Sequence, residues 1–269
     1  MVKLRSKKNH IVKLINSLSI KKYRYRKGLF VVEGFRIVSE ALNSDFIINS
    51  VVVSSTFAQN NSSFLRLLLN HDILVYEIED GLFSKISDTV NPQGILAIVK
   101  MKNYDIKEII QKSNKKFLVM LDSIQDPGNL GTVIRSCHAC NVDGVIVTKG
   151  SADVFNPKTL RSTMGSIFHI PIVFSDNPKH LILELKRNNI KIVAAILEGE
   201  KYLFQMNFCD SILIILGNEA NGISNELLPY IDYTVKIPMP GNAESLNVAV
   251  AGGIFLYEVI RQRMECENL

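Results

Sequence analysis

IPMPGNAESLNVAV, residues 237–250, decides how this chain is read. Pro238 and Pro240 fix an extended exit from the apolar run that ends at Ile237, because proline locks φ and disfavours helix in the residue before it. Residues 241–244 then turn the chain, and Ser245 is a good N-cap for a long helix with Asn247 in its first turn. Two other loops share this chemistry: DPGNLGTVIRS at 126–136 and LGNEANGIS at 216–224. Each sets glycine, asparagine and a small polar residue at the end of an apolar run. Glycine lets backbone come close to a ligand, and asparagine offers both donors and acceptors. Three such loops on one scaffold predict a single composite pocket lined largely by backbone.

The alternation around these loops predicts the fold class, α/β. Apolar runs at 117–121, 144–147, 170–173, 192–196, 212–216 and 235–237 read as strands, with helices at 130–140, 157–166, 179–188 and 245–263. Strands that are apolar throughout belong in a parallel sheet covered on both faces. Residues 117–269 are therefore read as one α/β domain. Upstream, β-branched runs at 51–54, 73–77 and 95–99 alternate with helical segments at 35–42 and 63–69, a smaller α/β domain over residues 1–100. Residues 1–18 carry Ile11, Leu14, Ile15 and Leu18 at helical spacing and read as a short basic helix. The polar, lysine-rich stretch 101–116 reads as a linker helix, which makes the second half separable from the first. The last helix is apolar nearly all round and needs cover on more than one side; Gly252 and Gly253 permit close approach.

Charge is unevenly spread. Residues 1–27 hold ten Lys/Arg and no acid, leaving 21 bases against 26 acids in the other 242 residues. Interleaved with Tyr23 and Tyr25, that cluster suits a phosphate backbone with bases free to stack. Taken alone, a solvated helix that keeps the protein soluble is the favoured explanation. A chain that is 47% hydrophobic and 21% charged is globular. No apolar run is long enough to span a bilayer and no h-region follows the basic N-terminus, so a cytoplasmic protein is expected. The four cysteines are expected to be reduced. Cys137 and Cys140 form a C-x-x-C inside a helix, away from the helix start that would stabilise a thiolate, and read as packing. There is no G-x-G-x-x-G or G-x-x-x-x-G-K-[ST], and the five histidines show no metal spacing. Dinucleotide, P-loop and metal chemistry are not indicated.

In order and wording, the three loops resemble the signature motifs of the SPOUT-class RNA 2′-O-ribose methyltransferases, in the SpoU/TrmH-like branch. NPKTLRSTMG at 156–165 also follows that family's pattern, with Thr163 where serine is more usual. KKYRYRKGLFVVEGFRIVSEAL at 21–42 carries the resemblance into the first half, the RNA-recognition part. The resemblance implies a trefoil knot in the C-terminal domain, S-adenosylmethionine as methyl donor, no metal, and a homodimer joined through the last helix. It implies that Asn129, Arg135, Glu219 and Asn247 form the catalytic set. By the same resemblance, Leu216, Gly217, Asn218, Ile237, Met239, Ser245 and Leu246 hold the cofactor. Lys158 and Arg161 join Lys7, Lys8, Lys21, Lys22, Arg24 and Arg26 as candidate RNA contacts.

Arg135 is a poor general base, since a guanidinium keeps its proton in proteins, so its work would be electrostatic. Ala220 stands where the family commonly has glycine, and a left-handed backbone there would strain it. Valine at Gly217 is expected to obstruct the adenosine while leaving the fold intact. The expected substrate is a structured RNA, ribosomal in preference to transfer RNA. Two alternatives stand beside this reading: a SPOUT methylase acting on a base nitrogen, and a non-catalytic RNA-binding protein that kept the fold. The intact Asn129/Arg135 pair argues against the first.

Overall fold

The computed structural model describes residues 1–4, 9–112 and 115–267. Lys7 and Lys8 lie outside the described residues. The chain forms two compact units, Met1–Lys102 with Phe155–Phe168, and Asn103–Val154 with His169–Leu269.

The first unit runs β1 (Val2–Leu4), α1 (His10–Leu18), α2 (Lys21–Lys27), β2 (Leu29–Glu33), α3 (Phe35–Leu42), β3 (Ile48–Ser54), α4 (Ser55–Asn60), α5 (Ser62–Asn70), β4 (Val75–Ile78), α6 (Asp80–Ile86) and β5 (Ile95–Lys100). Its five strands take the order β1-β4-β3-β5-β2, with β5 antiparallel to both neighbours. Val51, Val52 and Val53 on β3 and Ile95 to Val99 on β5 are fully buried. The central strands are covered on both sides, which is why they read as unbroken apolar runs. The basic helix expected over 1–18 is shorter than that. Val2 pairs with Tyr76 and Leu4 with Ile78 in a parallel edge strand, too short to carry a periodicity. α1 begins after Asn9, whose Oδ1 accepts from Ile11 N at 2.9 Å.

Beyond β5 the chain continues through α7 (Ile106–Lys112), β6 (Phe117–Leu121), α8 (Pro127–Ala139), β7 (Gly144–Thr148), α9 (Pro157–Thr163), β8 (Ile172–Ser175), α10 (Pro178–Arg187), β9 (Lys191–Ala195), β10 (Lys201–Tyr202), β11 (Ile212–Leu216), β12 (Tyr233–Lys236) and α11 (Val248–Glu267). All of these except α9 belong to the second unit. Its seven strands are all parallel, in the order β10-β12-β9-β11-β6-β7-β8. Every residue of β6 and β11, side by side within the sheet, is buried. The stretch read as a linker is part of this unit: Ile106 and Ile109 of α7 sit in its core with Leu185, Ile192 and Leu213.

Two sequence expectations change here. Phe155 and Phe168 close the core of the first unit, their rings 4.7 and 6.3 Å from that of Phe30. Removing residues 1–100 would strip both rings of cover, so the second half is not the separable piece that its sequence describes. The four cysteines are not all thiols either. Cys209 and Cys266 are joined by a disulfide, leaving Cys137 and Cys140 free. The two partners are 57 residues apart, and no local pattern announces them. What brings them together is the end of α11, where Gln262 Oε1 accepts from Phe208 N at 2.9 Å and Arg263 donates to Phe208 O and Asp210 O. Burial pushes the Cys137 thiol far above its usual range, which suits a packing role.

Candidate active site

The three glycine-asparagine loops leave the C-terminal ends of β6, β11 and β12. In parallel sheets that edge carries the ligand crevice, because successive crossovers open there. On the first loop, Asp126 Oδ1 accepts from Asn129 N at 2.8 Å, and Pro127 sits in the first turn. α8 thus starts three residues earlier than its apolar periodicity indicates, with Asn129 in the first turn.

The second loop is held by Asn218. Its backbone pairs with Gly222 in both directions, at 2.8 and 3.0 Å. Its Oδ1 accepts from Ala220 N and Asn221 N at 2.9 Å, and its Nδ2 donates to Ser123 O at 2.8 Å. Gly222, at φ +67°, takes the left-handed position, and Ala220 is not among the positive-φ residues. The alanine there carries no strain. The reason for Gly217 also differs from the one expected. A Cβ at that position would lie 2.4 Å from Gly222 C and 2.5 Å from Ile223 N, so the loop's own backbone forbids a side chain.

On the third loop, Ser245 is not the cap. α11 starts at Val248, and Asn247 caps it, with Oδ1 accepting from Ala249 N and the carbonyl from Ala251 N, both at 2.9 Å. Either residue type suits an N-cap. Starting the helix at Val248 leaves residues 245–247 outside it, where they line a cavity.

Side chains from the three loops meet. Asn247 Nδ2 donates to Asn129 Oδ1 at 2.9 Å, and Asn129 Nδ2 donates to Glu219 Oε1 at 2.9 Å. A carboxylate only accepts, so Glu219 fixes which way the Asn129 amide faces. Behind this chain lies a buried brace. Asp122 Oδ2 accepts from Ser224 N at 2.7 Å and its Oδ1 from Thr148 Oγ1 at 3.0 Å, tying the first loop to the second. Beside the chain opens a cavity of about 530 Å³. Leu216, Gly217, Asn218, Ile237, Met239, Ser245 and Leu246 all line it, as do Glu219 and Asn247. Arg135 does not. It is exposed on α8, six residues beyond Asn129, and has no hydrogen bond or ion pair among the described residues.

The SpoU rRNA Methylase family model matches residues 116–257, more than half of the chain and all three loops. The chain belongs to that family. Residues 9–97 match the MRM3-like substrate binding domain. Over 259 residues this SpoU methylase is 36% identical to the 23S rRNA (guanosine(2553)-2′-O)-methyltransferase RlmP of Bacillus subtilis, covering 96% of this chain and 99% of that one. Its fold matches AviRb of Streptomyces viridochromogenes, solved in complex with AdoMet, with a TM-score of 0.86 at 30% identity, covering 96% and 99% of the two chains. The AdoMet-bound rRNA methyltransferase of Sinorhizobium meliloti gives 0.84 at 30% identity, covering 96% and 97%. The activity of this SpoU methylase is S-adenosylmethionine-dependent RNA 2′-O-ribose methylation.

The cavity fits that donor on its own terms. Its volume, about 530 Å³, lies within the range of roughly 300–1,000 Å³ of small-molecule sites. Ile196, Leu216, Ile237 and Leu246 offer apolar faces to a base, and the Asn218–Gly222 loop offers backbone polar groups to its edge. The lining that sequence reading missed comes from the end of β9, Ala195 to Leu197, and from Phe255 on α11. The signal for β9 was available: it is a neighbouring strand of the same parallel sheet, and its C-terminal end faces the same crevice.

The candidate RNA contacts divide. Lys21, Lys22, Arg26 and Lys158 are exposed. Lys21 lies over the Tyr25 ring and Arg26 over Tyr23, each at 5.7 Å. Arg161 is half-exposed and paired with Asp88 at 2.5 Å. Arg24 is a correction. It is 2% exposed, and its Nη1 donates to Leu18 O and Ser19 O at 2.7 and 2.8 Å. A cation at a helix C-terminus satisfies carbonyls that the helix leaves open, so Arg24 is structural. Among the described residues no helix is long and apolar enough to cross a membrane.

Proposed function

We propose that this protein methylates a ribose 2′-hydroxyl of 23S ribosomal RNA in the cytoplasm, with Asn129, Glu219 and Asn247 around the reacting oxygen and Arg135 meeting the RNA where it crosses α8. The observation that carries the reading is the chain from Asn247 through Asn129 to Glu219 at the rim of the cavity. The bound donor supplies an electrophilic methyl on a sulfonium. The two asparagines orient the incoming hydroxyl, their amides held by Glu219 and by each other before any RNA arrives. Arg135 faces solvent, where a fixed cation offsets charge developing on the ribose oxygen or holds a neighbouring phosphate. Residues 1–100 supply the RNA-recognition part, and the exposed cations of α2 neutralise its backbone.

The test is methyl transfer from S-adenosylmethionine to 23S rRNA that lacks its ribose methylations, followed by nuclease digestion and mass spectrometry. The expected product is one 2′-O-methylated nucleotide. A methyl on a base nitrogen, or none in a protein that binds cofactor and RNA, would overturn the reading.

We further propose a homodimer through α11. What supports it is an uncovered apolar face: Val250 is 52%, Ile254 37% and Tyr257 70% exposed, and Phe204 beside them is 63% exposed. A Cβ on Gly253 would meet nothing within 4 Å, so the face is open to close packing. Patches of this kind on a globular chain mark association sites. Tyr257→Glu is expected to shift the protein from dimer to monomer in sedimentation equilibrium. A wild-type chain that sediments as a monomer at micromolar concentration sinks the proposal.

A further inference from the structure

A second cavity, of about 270 Å³, lies wholly within the first unit. The end of α1, β2, α3, the residues after α6, and α9 bound it. Leu18, Val32, Phe155 and Leu160 are buried beneath it and make its floor apolar. The rim is polar. It carries the exposed Asn16 and Lys85, and the Asp88–Arg161 pair. None of these groups takes part in methyl transfer as argued above.

The wall that carries Asp88 is built in advance. Glu33 Oε1 accepts from Ser87 Oγ at 2.5 Å and from Thr89 Oγ1 at 2.7 Å, and Oε2 accepts from Asp88 N at 2.9 Å. A carboxylate taking three donors from three successive residues fixes that loop, so little ordering is left for a ligand to impose.

Size, chemistry and charge then narrow the occupant. The cleft has about half the volume of the cofactor cavity, 270 against 530 Å³, too little for a nucleoside carrying an amino acid and in scale with a single base. An apolar slot with polar groups at its mouth suits a flat ring with a hydrogen-bonding edge. The Asn16 amide presents a donor beside an acceptor, the pairing used to read a base edge, and Asp88 adds an acceptor for an exocyclic amine. The exposed cations Lys21, Lys22 and Arg26 follow directly on the end of α1 that forms the rim. Cations of this kind suit the phosphates that flank an inserted base.

We propose that this cleft receives one unpaired, amine-bearing nucleobase of the RNA substrate, with Asn16 and Asp88 reading its edge. The inference rests on the RNA-methylating reading and adds a second recognition point in a different cavity from the chemistry. A nucleotide already unpaired in the folded RNA is favoured, because extruding it breaks no base pair.

The experiment uses the full chain and 23S rRNA lacking its ribose methylations. With photoreactive benzoylphenylalanine in place of Lys85, exposed on the rim, irradiation is expected to link the protein to one unpaired adenosine, cytidine or guanosine. Crosslinks scattered over paired positions overturn the proposal. In parallel, Asn16→Trp puts a bulky ring across the mouth from an exposed position that the fold does not need, and its melting temperature should match wild type. Losing one base-edge contact is expected to raise KM for the RNA about tenfold, with kcat at saturating RNA and cofactor affinity unchanged. Wild-type KM in the folded variant sinks the cleft as a base site. A wild-type protein that methylates no RNA fails the functional reading instead, which the same assay separates.

Discussion

Replacing Arg135 with alanine is expected to lower single-turnover methyl transfer by roughly 10²–10³, while S-adenosylmethionine affinity stays near wild type. Two facts set that split. Arg135 is absent from the cavity lining, so the donor should not sense its loss. It is also exposed on the helix whose first turn holds Asn129, and no described residue pairs with it. A surface cation with no partner contributes little to stability, so the variant should fold and melt as wild type does. Six residues along a helix is about 9 Å and well past one turn, so Arg135 does not stand on the face that carries Asn129. Its cation therefore serves an RNA lying across α8, where a ribose oxygen or an adjacent phosphate reaches it. Arg135→Lys should rescue only in part, because an ammonium lacks the planar fork that grips two oxygens together. Full-rate transfer by Arg135→Ala with saturating RNA would move the electrostatic role to another residue.

Much of the fold was legible because burial on both faces leaves a plain mark. β6 and β11 are printed in the sequence as FLVML and ILIIL, and the structure buries all of both. What escaped has physical reasons. β1 is three residues at a sheet edge, shorter than any period that could reveal it. The partner of the first unit's aromatic core, Phe155–Phe168, comes from far along the chain, and periodicity is blind to which sheet an amphipathic segment will join. Cys209 and Cys266 meet only because the end of α11 returns to the loop before β11, and counting cysteines says nothing about such a return.

The site was legible in its loops and misread in its details, where the partner of a side chain is set by the fold and not by its neighbours in sequence. Ser245 and Asn247 both suit an N-cap, and the sequence offers no means to choose; the structure chooses Asn247, whose Nδ2 remains free to hold Asn129. Arg24 sits among exposed cations in KKYRYRK, yet it turns inward because the C-terminal carbonyls of α1 lie within reach. Asp122 was visible only as the residue ending a strand. Its two acceptor bonds, across 102 residues to Ser224 and 26 to Thr148, exist only in three dimensions.

Gly217→Ala is expected to cost both cofactor affinity and stability, and the size of that loss tests how the second loop is held. A single methyl would sit 2.4 Å from Gly222 C and 2.6 Å from Gly222 O, and the obstacle is backbone, which cannot swing aside as a side chain can. To admit it, the loop must break its two Asn218–Gly222 hydrogen bonds or lift away from Leu216. Overpacking of this sort costs roughly 1–3 kcal/mol, and in a chain of this size each kcal/mol lowers Tm by roughly 2–4 °C. Residues 216–222 form one wall of the cavity, so the same displacement should weaken S-adenosylmethionine binding measured by calorimetry. Gly222→Ala gives the contrast. Its Cβ would meet nothing within 4 Å, but its φ of +67° strains any side chain. That strain amounts to about 1 kcal/mol or somewhat more. Gly222→Asn should recover part of the loss, because asparagine tolerates the left-handed region better than alanine does; no such residue choice can rescue position 217. Wild-type melting and cofactor affinity in Gly217→Ala would show that the loop yields without its Asn218–Gly222 pairing, and the account of glycine at 217 would have to be given up.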